Sequence, residues 1–302
     1  MNLLLTGCFH YSDSQLSQLA ELGYTIHFLQ QESEPLPLPA DEVDATVCNG
    51  LFLHHSIDEF TRLQFIQLTS AGLDRVPVDI IRRRSIILHN ARGVYSAPMA
   101  EWAVFRILER YKQAAEFRQN QLESQWVKIR TIRELTDAKV AIVGAGNVGS
   151  EVAKRLEPFG CEIVGYDIHT NPQPHFSEMR LIDSLATTVA EFDIIILTAP
   201  LTPQTEGLIN ADILARLRPN AMLVNIARGA IIDEPALTEA LCRRPDIFAA
   251  LDVFTTEPLP TSSPLWQLPN AAISPHNSFV GHANSRRLFA LILSNLTSFR
   301  NQ

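Results

Sequence analysis

Val140-Ala141-Ile142-Val143 is an apolar run that leads straight into Gly144-Ala145-Gly146-Asn147-Val148-Gly149, glycines at G-x-G-x-x-G spacing. Gly144 permits a tight turn, Gly146 lets backbone approach a pyrophosphate, and Gly149 lets the following helix pack close to the strand. Phosphates would rest on N–H groups at the start of that helix, where the dipole also favours an anion. Asp167 ends the next apolar run, 18 residues beyond Gly149. A carboxylate there accepts hydrogen bonds from the ribose hydroxyls of an adenosine and repels a 2′-phosphate, so the pattern favours NAD over NADP. The other reading of Asp167 is a turn cap.

Three further segments carry polar residues directly after apolar runs. Arg228 lies between Met222-Leu223-Val224-Asn225-Ile226-Ala227 and Gly229. It is either a fork for a carboxylate or carbonyl, or one half of a structural ion pair. Glu257 follows Ala250-Leu251-Asp252-Val253-Phe254, and His276 follows Ala271-Ala272-Ile273-Ser274-Pro275. Histidine is the side chain best suited to proton exchange near neutral pH, and a carboxylate beside it favours the imidazolium form. A histidine after proline, or a glutamate before one, carries little weight alone. Joint placement at strand ends behind a dinucleotide fingerprint is what points to proton and hydride chemistry, because ligands of open α/β sheets bind at the carboxyl ends of strands.

The elements needed to position these residues form two series. In the first, Leu3–Leu5, Thr25–Leu29, Ala45–Cys48, Phe65–Leu68 and Ile86–Leu88 read as strands, with a helix over Ser14–Leu22. A long helix is predicted from Pro98 to Gln121. The second series has strands at Val140–Val143, Glu162–Tyr166, Ile194–Leu197, Met222–Asn225, Phe248–Leu251 and Ala271–Ser274. Helices fall between them at Val148–Glu157, Leu208–Ala215 and Pro235–Leu241, and a last helix spans Arg286–Phe299. Alternation of this kind predicts an α/β protein with two parallel sheets. The cofactor domain is expected over 98–279. A substrate domain is expected over 1–97, completed by 280–302.

The chain has 302 residues, 46% hydrophobic and 19% charged, which is enough for two cores and excludes general disorder. The net charge is −8, and residues 1–61 hold nine acidic residues and no lysine or arginine. Nucleic acid is therefore not an expected partner. The one basic run, Arg82-Arg83-Arg84, reads as a solvated helix end. Cys8, Cys48, Cys161 and Cys242 are widely spaced, which predicts reduced thiols in a cytoplasmic protein. No signal-peptide pattern and no membrane span are expected. His54-His55 lacks metal-ligand spacing, so no metal is expected.

In this combination of motifs the sequence resembles the D-isomer-specific 2-hydroxyacid dehydrogenases. The resemblance runs over nearly the whole chain. It rests on Val143–Gly149, Thr198-Ala199-Pro200-Leu201-Thr202-Pro203-Gln204-Thr205, Asn225-Ile226-Ala227-Arg228-Gly229, Asp252-Val253-Phe254 with Glu257-Pro258-Leu259, and Pro275-His276. It implies a Rossmann domain and a flavodoxin-like substrate domain. It also implies catalysis by Arg228, Glu257 and His276 on a small 2-keto or 2-hydroxy acid with NAD(H), of which glyoxylate and hydroxypyruvate are examples. The cofactor set it implies is Gly144, Gly146, Asn147, Val148, Gly149, Asp167, Thr198, Pro200, Ile226, Ala227 and Asp252, the last touching the nicotinamide carboxamide. The substrate-binding set it implies is Ala71 and Gly72 in the loop Ser70–Asp74, together with Arg228 and His276. The resemblance further implies a homodimer paired through the region Trp102–Phe117. Asn277-Ser278 departs from the small or apolar residues found at that place in many members. The alternative function is an NAD-sensing binding protein like the family's transcriptional corepressors. A phosphorylated substrate would ask for basic residues in the first domain, and residues 1–61 have none.

Overall fold

Short unbroken apolar runs suit strands covered on both faces, and every strand pairing is parallel. The computed structural model describes residues 1–301, which divide into two compact units: Met1–Tyr95 with the segment from Gly281 onward, and Ser96–Val280.

The first unit holds β1 (Asn2–Thr6), β2 (Thr25–Leu29), β3 (Ala45–Cys48), β4 (Phe65–Leu68) and β5 (Ile87–His89), in the order β2-β1-β3-β4-β5. This is the flavodoxin-like order. On one face Leu3, Leu5, Val47 and Phe65 pack with Leu288, Ile292, Leu296 and Phe299 of the terminal helix Asn284–Arg300. Two hydrogen bonds tie that helix down: Tyr24 Oη donates to the Leu296 carbonyl at 2.9 Å, which is buried, and Asn295 Nδ2, partly buried, donates to Gln67 Oε1 at 2.7 Å. The other face packs Leu4, Cys48, Ile66 and Leu68 against Leu51, Ile57, Phe60 and Ile81.

The second unit holds β6 (Lys139–Val143), β7 (Glu162–Asp167), β8 (Glu178–Leu181), β9 (Ile194–Leu197), β10 (Met222–Asn225), β11 (Phe248–Leu251) and β12 (Ala271–Ile273). Their order is β12-β11-β10-β9-β6-β7-β8, a doubly wound Rossmann sheet whose order reverses between β6 and β9. The Gly144–Gly149 turn leaves β6 at that switch point. Apolar side chains fill both faces, with Val143, Leu197 and Leu223 on one and Ile142, Ile196 and Val224 on the other.

Two readings from the sequence need correction. The single helix over Pro98–Gln121 is two helices, Ser96–Tyr111 and Ala114–Leu122, separated by Gln113 in a left-handed conformation (φ 52°). The first helix has a core-facing stripe of Ala100, Ala103, Ile107 and Tyr111, whereas the second buries nothing, so no packing keeps the pair straight. Gln113 Nε2 instead reaches Thr131 Oγ1 at 2.9 Å, and Lys112 Nζ the Arg133 carbonyl at 2.9 Å. Strand β8 was not expected either. Its sequence Glu-Met-Arg-Leu lies at the sheet edge, half exposed, without an apolar run.

Candidate active site

The glycine turn is built as its chemistry requires. Gly144 has φ 98°, and a Cβ there would lie 2.5 Å from the Ala199 nitrogen. A Cβ on Gly149 would lie 2.1 Å from the Gly144 carbonyl oxygen, so only glycine lets the helix Asn147–Leu156 sit this close to β6. Gly146 differs: a Cβ there would meet nothing within 4 Å. Its missing side chain leaves an open cradle at the helix N-terminus, which no side chain caps. Thr198 Oγ1 donates to the Gly144 carbonyl at 2.6 Å and the Val143 carbonyl at 3.1 Å, closing the turn against β9. Asp167 ends β7, and its carboxylate accepts from the Ala145 amide at 2.8 Å and the Ile168 amide at 2.8 Å. A pyrophosphate cradle beside an oriented carboxylate fits an adenine dinucleotide. Asn147 and Val148 form the first helical turn, and Pro200 lies on the exposed loop after β9.

At the end of β10, Ile226 and Ala227 are buried and Arg228 is half exposed. The buried side chain of Asn225 holds this turn. Its Oδ1 accepts from the Ala227 amide at 3.0 Å and its Nδ2 donates to the Arg228 carbonyl at 2.9 Å. Arg228 Nη1 donates to the Ala227 carbonyl at 2.8 Å. At Gly229 a Cβ would fall 1.9 Å from the Phe254 carbonyl carbon, so glycine lets the loops after β10 and β11 touch.

Glu257 is on the second of those loops. Its Oε1 accepts from the Phe254 amide at 2.9 Å and its Oε2 lies 2.7 Å from His276 Nδ1. One oxygen thus fixes the carboxylate and the other orients the imidazole. Both side chains are partly open to solvent, at 36% for Glu257 and 41% for His276. Phe279 meets the His276 ring edge-on at 5.9 Å. With Nδ1 engaged, Nε2 is the ring nitrogen left for other partners.

Asp252, at the end of β11, is fully buried. Its carboxylate accepts from the Asn277 amide at 2.8 Å, the Ser278 amide at 2.8 Å and the Ser274 hydroxyl. Asn225 and Ser274 were not singled out from the sequence. The usable signal is a polar residue at the carboxyl end of a buried strand.

In the first unit, Ala71 and Gly72 follow β4 in an exposed loop. Asn90 Nδ2 donates to the Ala71 carbonyl at 2.7 Å and Ser70 Oγ to the Gly72 carbonyl at 3.1 Å. Neither the Ala71 nor the Gly72 amide donates to another group among the described residues. Among those residues no cluster of three or more His, Cys, Asp or Glu could hold a metal ion, and no helix is long and apolar enough to cross a membrane.

The chain belongs to the D-isomer specific 2-hydroxyacid dehydrogenases, whose NAD binding domain matches residues 104–278. It is 30% identical over 286 residues to a glyoxylate reductase/hydroxypyruvate reductase of Homo sapiens, covering 89% of this chain and 86% of that protein. It is 33% identical over 253 residues to glyoxylate/hydroxypyruvate reductase B of Pectobacterium carotovorum, covering 81% and 77%. A solved family member from Xanthobacter autotrophicus, in complex with NADPH and MES, superposes with TM-score 0.80 at 25% identity over 98% of this chain and 93% of that one. Another, from Aeromonas salmonicida, gives TM-score 0.83 at 26% identity over 99% and 95%. The chain is therefore an NAD-dependent oxidoreductase of this family.

Proposed function

We propose that this enzyme reduces small 2-keto acids of the glyoxylate and hydroxypyruvate type with NADH. The observation that carries the reading is the 2.7 Å pair between His276 Nδ1 and Glu257 Oε2, held at strand ends of the same sheet that carries the glycine cradle. Bound NADH supplies the hydride to C2. His276, protonated and oriented by Glu257, gives its Nε2 proton to the keto oxygen. The Arg228 guanidinium stabilises the charge growing on that oxygen and helps bind the carboxylate. The amides of Ala71 and Gly72 take the carboxylate as well. In the reverse direction neutral His276 accepts the hydroxyl proton.

The cofactor is held by Gly144, Gly146, Asn147, Val148, Gly149, Asp167, Thr198, Pro200, Ile226, Ala227 and Asp252, within a domain over 98–279. Residues 1–97 and 280–302 form the substrate domain. Human and bacterial relatives named for glyoxylate and hydroxypyruvate support the substrate class. The absence of lysine and arginine from residues 1–61 favours an uncharged substituent on C2. A panel of 2-keto acids assayed with NADH and NADPH tests the reading, and no turnover of any of them sinks it. Because Asp167 presents a fixed carboxylate where a 2′-phosphate would lie, kcat/KM is expected to be higher with NADH than with NADPH. The opposite ranking would show that Asp167 does not read the ribose.

The enzyme works in the cytoplasm as a homodimer. Phe105, Phe117, Leu122, Trp126 and Val127 are exposed, Trp126 at 96%, and a groove of about 720 Å³ runs between Phe117 and Arg130. Apolar surface of this kind supports pairing with a second copy. Light scattering is expected to give twice the chain mass, and a monomer at micromolar concentration would rule the dimer out.

A further inference from the structure

His276 has φ 49°, a left-handed conformation uncommon for a non-glycine residue. Asp252 holds the turn that contains it through several hydrogen bonds. The His276 amide donates to the Asp252 carbonyl at 2.8 Å, besides a longer bond to the Ser274 carbonyl at 3.1 Å. Asp252 Oδ1 accepts from the Ser274 hydroxyl and, at 2.8 Å, from the Asn277 amide; Oδ2 accepts from the Ser278 amide at 2.8 Å. One buried carboxylate therefore grips the residue two before His276 and the two residues after it. A carboxylate has about four acceptor sites, and three are taken by this loop.

Resting on the proposed role of His276, we propose that Asp252 is a positioning residue. Its carboxylate clamps the segment Ser274–Ser278 in the left-handed turn that presents His276 Nδ1 to Glu257 and leaves Nε2 for the substrate. Contact with the cofactor uses at most the remaining acceptor site on Oδ2. Asn277-Ser278 contributes backbone N–H groups to this clamp. Because only these N–H groups are used, the clamp does not depend on the side chains at positions 277 and 278.

The test uses Asp252→Asn and Ser274→Ala. Asparagine puts an NH₂ where an amide donor needs an acceptor, and alanine removes one donor from the carboxylate. The first readout is the tautomer of His276, taken from long-range ¹⁵N–¹H correlations in the protein without cofactor, at a pH where the ring is neutral. In the wild type the proton sits on Nδ1, held by Glu257. In both variants the Nε2–H form is expected to grow. The second readout is kinetic: kcat falls about 10²-fold in Asp252→Asn and about 10-fold in Ser274→Ala, while in Ser274→Ala, which leaves the proposed cofactor groups in place, the Kd for NADH stays within a factor of about three. A wild-type tautomer in both folded variants overturns the proposal, as does a raised Kd for NADH with the tautomer unmoved. If Asp252→Asn fails to fold, Ser274→Ala decides alone by the same criteria. Failure of the wild type to turn over any 2-keto acid would sink the proposed reaction, whereas the tautomer readout would still decide the clamp.

Discussion

His276→Ala is expected to slow 2-keto acid reduction and 2-hydroxy acid oxidation alike, by about 10²- to 10⁴-fold, the usual worth of a positioned acid–base group. Microscopic reversibility requires the same group in both directions. The Kd for NADH should be nearly unchanged, because the glycine cradle and Asp167 are built on β6, β7 and the helix Asn147–Leu156 rather than on the β12 loop. Fluorescence titration of NADH with steady-state rates in both directions checks this, and a variant that keeps wild-type kcat in either direction would end the assignment. Glu257→Gln separates the pair. It keeps a group of similar size near Nδ1 but replaces an oxygen that can only accept from the ring N–H by an amide that can turn either its oxygen or its NH₂ toward it. The ring is then less firmly oriented, and kcat should fall about 10-fold in both directions with little change in the Kd for NADH. Wild-type kcat in both directions would show that the 2.7 Å contact has no bearing on proton exchange.

The fold class was legible because a parallel sheet covered on both faces writes itself as short apolar runs. Ala45–Cys48, Phe65–Leu68, Ile194–Leu197, Met222–Asn225 and Phe248–Leu251 have the boundaries their composition suggests. Where packing is one-sided or lacking, the signal fades. Strand β8 is a charged edge, and the bend at Gln113 follows from side chain to backbone bonds with residues 131–133 that no local pattern records. The glycine turn was legible for a related reason: positive φ at Gly144 and the 2.1 Å approach at Gly149 leave no other residue type usable. His276 and Glu257 lie 19 residues apart, and what links them in the sequence is their shared placement after apolar strands behind a dinucleotide fingerprint, together with the family resemblance. The clamp around Asp252 was not legible at all, since two of its three donors are backbone amides, which every residue but proline possesses.

Arg228→Ala is the second large effect expected. Arg228 follows a turn tied by Asn225 and precedes a glycine packed against the Phe254 carbonyl, so its backbone is held from both sides. A side chain fixed this way loses little freedom when it meets a substrate, and its planar fork can serve a carboxylate and a keto oxygen together. Binding to the carboxylate is the same in ground and transition states and appears in KM. Stabilisation of the growing oxyanion exists only in the transition state and appears in kcat. Arg228→Ala should therefore raise KM for the 2-keto acid and also lower kcat by about 10²- to 10³-fold. Arg228→Lys keeps the charge but not the fork, so it should recover more of KM than of kcat. The diagnostic quantity is that split. A raised KM with wild-type kcat in Arg228→Ala would make Arg228 a binding group alone, and the oxyanion would need another donor. A lowered kcat with wild-type KM would place the carboxylate elsewhere, on the Ala71 and Gly72 amides. Only loss of both supports one guanidinium serving two oxygen atoms, because neither single function predicts that the two constants move together.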